Sequence, residues 1–159
     1  MTQSVGAIVT LIPRTLEYRG SLNQAILNAA GEELDQFVLD HIIQPRIGDI
    51  YPVPAFRLPC QHIFFCVVPV WRDRDDFERY DRDLVNACRK AMDLARALSL
   101  KTLAFPPLGM GRHGFPKPRG VRLMLEGILS RLNSDIEEVR IVCKSKKTVH
   151  LFQDRLVVP

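Results

Sequence analysis

The stretch Phe105-Pro-Pro-Leu-Gly-Met-Gly-Arg-His-Gly-Phe-Pro116 is the most informative part of the chain, because a glycine-rich loop there joins two regular elements. The apolar run 102–105 at its start is typical of the end of a buried strand. After the loop, apolar residues recur at helical spacing from 121 to 132. A strand, a glycine loop and a helix in this order can present backbone N–H groups and a helix N-terminus to phosphate.

The loop combines three glycines with charge of one sign. Gly109, Gly111 and Gly114 permit positive φ and a close approach of the backbone to a ligand. No acidic residue occurs from 105 to 125, which favours an anionic ligand. The basic residues of the same stretch are Arg112, Lys117, Arg119 and Arg122. The alternative is an ordinary strand-to-helix connection whose glycines serve only the turn.

Length and composition predict one globular domain over residues 1–159, long enough for a single substantial core. Hydrophobic residues make up 47% and charged residues 25%, which excludes a disordered chain. No apolar run reaches membrane-spanning length, and the first residues do not resemble a signal peptide. We therefore expect a cytoplasmic, intracellular protein without a membrane partner. The net charge of +4 suits an acidic or nucleic-acid partner, but many enzymes are equally basic.

Neither the cysteines nor the acidic residues predict a metal site, and nothing in the sequence implies a cofactor. The four cysteines form no C-x-x-C pair and have no histidine at zinc spacing, so we expect buried free thiols. Residues 72–83 contain six carboxylates, but four arginines are interleaved with them. A self-neutralising surface is therefore the expected role of this segment.

Strands and helices alternate along the chain, which predicts an α/β domain with a mostly parallel sheet covered on both faces. Segments 5–12 and 63–68 are continuously apolar, as strands buried on both faces are. Three prolines in 48–59 restrict that segment to an irregular or edge-type structure. The other predicted elements are a strand at 139–143 and helices at 22–29, 32–40, 84–98 and 147–156.

In this order the segments resemble the pattern of the macro domain family, placed without a gap. Residues 5–34 are similar to the strand, loop and helix that begin that fold, and end in Asn28-Ala-Ala-Gly-Glu-Glu-Leu34. Leu108-Gly-Met-Gly-Arg-His-Gly-Phe-Pro-Lys117 resembles the family's second phosphate loop, most closely the histone-variant type. The resemblance implies a three-layer α/β/α sandwich with a mixed, mostly parallel central sheet. It also implies that ADP-ribose, free or attached to protein, binds at the C-terminal ends of the strands.

By this resemblance the ligand contacts fall on two loops. Those of the second loop are Leu108, Gly109, Met110, Gly111, Arg112, His113, Gly114 and Phe115, and those of the first are Gly20, Ser21 and Leu22. Where the family has a run of glycines in the first loop, this chain has Tyr18-Arg-Gly-Ser21. A single glycine therefore remains there, with a basic neighbour in Arg19.

Two residues that hydrolytic members of the family use are replaced. The asparagine that holds the distal ribose corresponds to Pro13, and the acid that helps to activate water corresponds to Asn23. Proline has no side-chain donor, and an amide is not a general base at neutral pH. We therefore predict binding without catalysis. The alternative is an ADP-ribosyl or O-acyl-ADP-ribose hydrolase, for which His113 is the one obvious titrating group of the loop.

The family's aspartate for the adenine amino group belongs to a Gly-Asp-Ile turn before the first matched strand, where this chain has only four residues. Gly48-Asp-Ile50 has the same letters but aligns with a later segment, so we do not assign adenine recognition to Asp49. Val68 stands where glycine is common and narrows the cleft. A third hypothesis is a divergent scaffold that binds protein or nucleic acid. Its basic side chains would be Arg119, Arg122, Lys144, Lys146 and Lys147.

Overall fold

The computed structural model describes residues 5–12, 21–71, 77–111 and 113–156, which contain five strands and five helices. The strands are β1 (Val5–Leu11), β2 (Ile50–Pro54), β3 (Cys60–Cys66), β4 (Thr102–Phe105) and β5 (Glu138–Ile141). The helices are α1 (Ser21–Ala30), α2 (Glu32–His41), α3 (Phe77–Ala97), α4 (Lys117–Ser130) and α5 (Lys146–Leu156).

The five strands form one sheet in the order β2-β3-β1-β4-β5. In the middle, β1 pairs in parallel with β3 and with β4, and β4 pairs in parallel with β5. The strand β2 runs antiparallel along the outer side of β3. This confirms the mixed, mostly parallel sheet. It also gives the proline-rich segment an edge position, where Pro52 and Pro54 are tolerated because one side needs no ladder hydrogen bonds.

The alternation of side chains along β3 divides the core into two layers. Phe64 and Cys66 contribute to a cluster on one face of the sheet, and Phe65 and Val67 contribute to a cluster on the other. All four are at most 1% exposed. The prediction of a strand buried on both faces is confirmed for residues 63–66, because successive side chains of a strand point to opposite faces, whereas Val67 and Val68 are buried just beyond the end of β3.

Helices cover both faces of the sheet. The smaller cluster is formed with apolar residues of α1 and α2, among them Ile26, Leu34 and Val38. The larger cluster is formed with α3, α4 and α5, which contribute residues such as Met92 and Met124. The result is the expected three-layer arrangement. None of the helices in the described residues is both long enough and apolar enough to cross a membrane.

Three predicted details differ from the structure. The helix α3 begins at Phe77, about two turns before its apolar pattern, because its first turns are largely solvated and leave no periodic signal. The last strand ends at Ile141, and Val142 beyond it is 59% exposed. The four cysteines are free, but only Cys66 and Cys88 are fully buried, whereas the other two are partly exposed.

Candidate functional site

The order of the strands creates a crevice beside the middle of the sheet. From β1 the chain continues to β2 and β3 on one side, whereas from β4 it continues through α4 to β5 on the other side. The connections after β1 and β4 therefore diverge from two neighbouring parallel strands. In open α/β sheets such a switch point, outside the carboxyl ends of the strands, is where ligands bind. Both loops that the sequence singled out start at this place.

The loop from β4 to α4 is held by its own backbone hydrogen bonds. The N–H of Phe115 donates to the carbonyl of Gly109 at 2.9 Å, and the N–H of Gly114 donates to the carbonyl of Gly111 at 3.0 Å. Gly109 and Gly114 have φ values of 78° and 77°, in the left-handed region that favours glycine. The positive φ that the glycines permit occurs at these two positions and not at Gly111, which lies outside that region.

Gly111 lies at the open side of the loop. Apart from its two chain neighbours, no atom of the described residues lies within 4 Å of a Cβ built there, so packing within the described part of the chain does not demand a glycine. Within the described part of the chain, the backbone N–H groups of Gly109, Gly111 and His113 donate no hydrogen bond. Unpaired backbone donors in a glycine-rich loop are groups that can receive phosphate oxygens.

The side chains of the loop divide between the core and the surface. Leu108 and Phe115 are 1% and 2% exposed and belong to the larger apolar cluster, so only their backbone faces the outside. Met110 is partly buried, and its side chain lies against Gly120 of α4. Phe115 packs where a Cβ on Gly109 would clash at 2.9 Å. These apolar contacts fix the loop's conformation from beneath.

The remaining predicted contacts are only partly described. Ser21 and Leu22 form the first turn of α1, so they lie in the element that follows the diverging connection after β1. Gly20 and Arg112 lie outside the described residues, as does Pro13. Of the two loops in the predicted site, the loop after β4 is therefore the one whose geometry the structure describes, apart from Arg112.

His113 is half-buried in the loop, and its backbone carbonyl accepts a hydrogen bond from the N–H of Trp71 at 2.6 Å. Burial lowers the pKa of its imidazole, since a low-polarity environment disfavours the charged form. The ring is therefore neutral at physiological pH. No carboxylate in the described part of the chain hydrogen-bonds to this ring, so the orienting partner of a base in a catalytic dyad is absent there.

The basic residues near the loop differ in how much of their charge is available. Lys117 and Arg122 are exposed at the start of α4. Arg119 instead forms a two-pronged ion pair with Asp81 of α3, with N–O distances of 2.8 Å and 2.7 Å. Asp81 stands 38 positions earlier in the sequence, so no local pattern predicted this pair. Because of this ion pair, Arg119 is not one of the free cations that the acid-free stretch 105–125 predicted.

Asp49 is engaged in its own segment. Its carboxylate accepts hydrogen bonds from the hydroxyl of Tyr51 at 2.6 Å and from the N–H of Arg46 at 2.9 Å. These hydrogen bonds lower the pKa of Asp49, because they favour its charged form. The segment leads directly into the edge strand β2, as the sequence interpretation placed it. The carboxylate of Asp49 thus stabilises the turn before β2.

A second depression lies at the opposite end of the sheet, where β4 and β5 begin. It has a volume of about 380 Å³ and is lined by the loops that precede those strands. Across it Lys101 and Glu137 form an ion pair at 3.5 Å, with both side chains more than half exposed. This depression lies at the end of the sheet opposite the switch point. No group of three metal-ligating side chains occurs in the described residues.

Comparison with known proteins gives consistent matches. The macro domain family model matches residues 13–124. A macro domain-containing protein of Methanosarcina mazei is 33% identical over 144 residues, which cover 89% of this chain and 75% of that protein. The chain spans only 27% of the length of a Thermotoga maritima relative, which is 29% identical over 98% of this chain.

Solved structures share the fold. The Oceanobacillus iheyensis macrodomain with ADP has a TM-score of 0.82 at 24% identity, over 96% of this chain and 83% of the other. The Trypanosoma brucei macrodomain in complex with ADP-ribose has a TM-score of 0.83 at 18% identity, over 96% of this chain and 64% of the other. With the family model matching most of its length, this chain belongs to the macro domain family.

Proposed function

We propose that this domain binds ADP-ribose, free or attached to protein, or a related nucleotide with a pyrophosphate group. The phosphate oxygens lie on the loop of residues 108–115, where backbone N–H groups receive them. The start of α1, with Ser21 and Leu22, forms the opposite wall of the crevice. Because the contacts are made largely by backbone, the site depends on the shape of the loop more than on any one side chain.

The observation that carries this proposal is the environment of Gly111. A glycine that packing does not require and that lies beside unpaired backbone donors suits a ligand that comes closer than a side chain would allow. The exposed charges of Lys117 and Arg122 add a local positive potential. Solved macrodomains with ADP and with ADP-ribose have the same fold, which is consistent with this class of ligand.

We propose binding without turnover. Pro13 and Asn23 stand where hydrolytic relatives have an amide and an acid. Burial lowers the pKa of the His113 imidazole, and no carboxylate in the described residues hydrogen-bonds to it, whereas a base of this kind needs an orienting acid to be efficient. This set of groups suits a domain that binds its ligand without changing it better than it suits a hydrolase.

The experiment that tests the proposal is calorimetric titration of Gly111→Glu and Gly111→Ala beside the parent, with ADP-ribose, AMP and pyrophosphate in parallel. Both substitutions have room for the new Cβ, so both variants should keep the parental melting temperature. Glutamate places bulk and negative charge where the phosphate lies and should abolish binding, whereas alanine adds only an uncharged methyl group and should weaken binding less than glutamate does.

The titration also separates the hypotheses. Binding of both ADP-ribose and pyrophosphate by the parent supports the proposed site. A folded Gly111→Glu variant that binds ADP-ribose as tightly as the parent would place the site elsewhere. If the parent binds none of the three compounds, the scaffold hypothesis replaces the proposal.

A further inference from the structure

A cluster of aromatic rings beside the loop encloses the guanidinium group of Arg119. The ring of Trp71 stacks on Phe77 with centroids 4.7 Å apart and an angle of 5° between the planes. It also contacts Phe115 at 5.4 Å. The guanidinium carbon of Arg119 lies 5.0 Å from the centroid of Trp71 and 5.7 Å from that of Phe77, within the range of cation–π attraction.

The same guanidinium connects two helices. Its Nε and one terminal nitrogen donate to the two carboxylate oxygens of Asp81, at 2.8 Å and 2.7 Å. Arg119 belongs to the first turn of α4, directly after the loop, and Asp81 lies near the start of α3. The pair is partly shielded, with side-chain exposures of 33% and 19%, which makes it stronger than a freely solvated pair.

Trp71 connects Arg119 to the loop after β4. Its backbone N–H holds the carbonyl of His113, and its Cβ lies within 3.8 Å of the position a side chain would take on Gly114. Phe115, which touches the same indole, packs beneath Gly109. The residues on both sides of the unpaired donors are thus attached to Trp71, and Trp71 is fixed by the guanidinium of Arg119.

We infer that Arg119 is a positioning residue for the phosphate loop: with Asp81 it fixes Trp71, and Trp71 fixes the backbone at Gly109 and at residues 113–115. The inference rests on the proposed function for its effect on ligand affinity. The inference assigns Arg119 no contact with the ligand: two of its N–H donors are bonded to Asp81, and its guanidinium carbon lies 5.0 Å from the centroid of Trp71.

A direct electrostatic role makes the opposite prediction for one variant. If Arg119 attracted the phosphate itself, removal of the negative charge of Asp81 would free its guanidinium and strengthen anion binding. If Arg119 acts by position, the same removal breaks the two-pronged pair, loosens Trp71 and weakens binding. Asp81→Asn therefore distinguishes the two roles by the sign of its effect.

The first measurement compares Asp81→Asn and Arg119→Met with the parent in ADP-ribose and pyrophosphate titrations. Both variants should bind roughly tenfold more weakly, the scale expected when a preorganised site loosens slightly. The matched control is Asp93→Asn, which removes the exposed ion pair with Arg131 between α3 and α4 at 3.4 Å. The control should bind as the parent does. Tighter or unchanged binding by Asp81→Asn overturns the positioning role.

The second measurement does not depend on a ligand. Hydrogen exchange at the amides of Trp71, Gly114 and Phe115 should accelerate in Asp81→Asn and Arg119→Met, with exchange in β1 and β3 unchanged. Trp71 is the only tryptophan, so its fluorescence reports the same loosening. Unchanged amide exchange and unchanged Trp71 emission in both variants would overturn the inference, whether or not the parent binds a phosphate compound. Absence of phosphate binding by the parent would refute only the proposed function.

Discussion

The glycines of the loop after β4 differ in whether the protein's own packing requires them. Gly109 is demanded by the protein, because its φ is positive and a Cβ would clash with the ring of Phe115. Gly111 is not demanded by the protein, because a side chain there meets open space. Loss of function at Gly109 would therefore mix misfolding with lost contacts, whereas loss of function at Gly111 reports the ligand alone.

The buried imidazole of His113 predicts a pH dependence of stability. Its pKa in the folded state is lowered by burial from the ordinary value of 6.5, so the unfolded chain binds more protons as the pH falls through that value. The contribution is fully present above pH 6.5 and is lost progressively below it. The variant His113→Gln should flatten this part of the profile, as measured by urea unfolding at several pH values between about 5 and 8. Equal slopes for variant and parent would contradict the assignment.

Two glycines of α4 show how closely this helix packs. A Cβ on Gly127 would lie 2.5 Å from the carbonyl oxygen of Val85 in α3, so the backbones nearly touch there. A Cβ on Gly120 would meet only the side chain of Met110, whose long chain can move. The close contact at Gly127 sets the separation of α3 and α4, the two helices that Arg119 and Asp81 connect.

We expect Gly127→Ala to destabilise the protein by about 1–3 kcal/mol, because rigid backbone cannot yield to the new methyl group. Gly120→Ala should be nearly neutral, since the gain in helix propensity of about 1 kcal/mol offsets the displacement of Met110. Chemical unfolding of both variants measures the difference. Equal stabilities would show that the two helices are not in close contact at Gly127.

Strands and helices of this fold could be predicted from the sequence where their apolar residues recur with the period of the element. The alternation Phe64, Phe65, Cys66 gave both faces of β3, because each residue is buried whichever way it points. The start of α3 at Phe77 was not predictable from apolar periodicity, since solvated turns carry no such pattern. The pairing of Arg119 with Asp81 depends on tertiary contact between two helices and leaves no trace in local sequence.

The candidate site was predictable to a similar degree. Glycines and one-signed charge indicated the loop, and the strand order then located it at the switch point. Which glycine carries positive φ, and which cation is neutralised, depends on neighbours brought together only by folding. These neighbours include Trp71, whose backbone N–H donates to the carbonyl of His113.

For the molecule as a whole, the absence of turnover is a prediction. Incubation with mono-ADP-ribosylated protein and with O-acetyl-ADP-ribose should release no product above the buffer level, because Pro13 and Asn23 replace the groups that hold ribose and activate water. Product release that disappears in His113→Ala would contradict this and would favour the hydrolase alternative.

The location of the bound phosphate is tested by amide chemical shifts during titration with ADP-ribose. If backbone donors of the loop receive the phosphate, the amide signals of Gly109, Gly111 and His113 should shift together and saturate at one dissociation constant. Pyrophosphate should shift the same signals, and the amides beside the depression at Lys101 should not respond. Saturable shifts confined to Lys101 and its neighbours, or binding that leaves the loop amides unmoved, would contradict the proposed site.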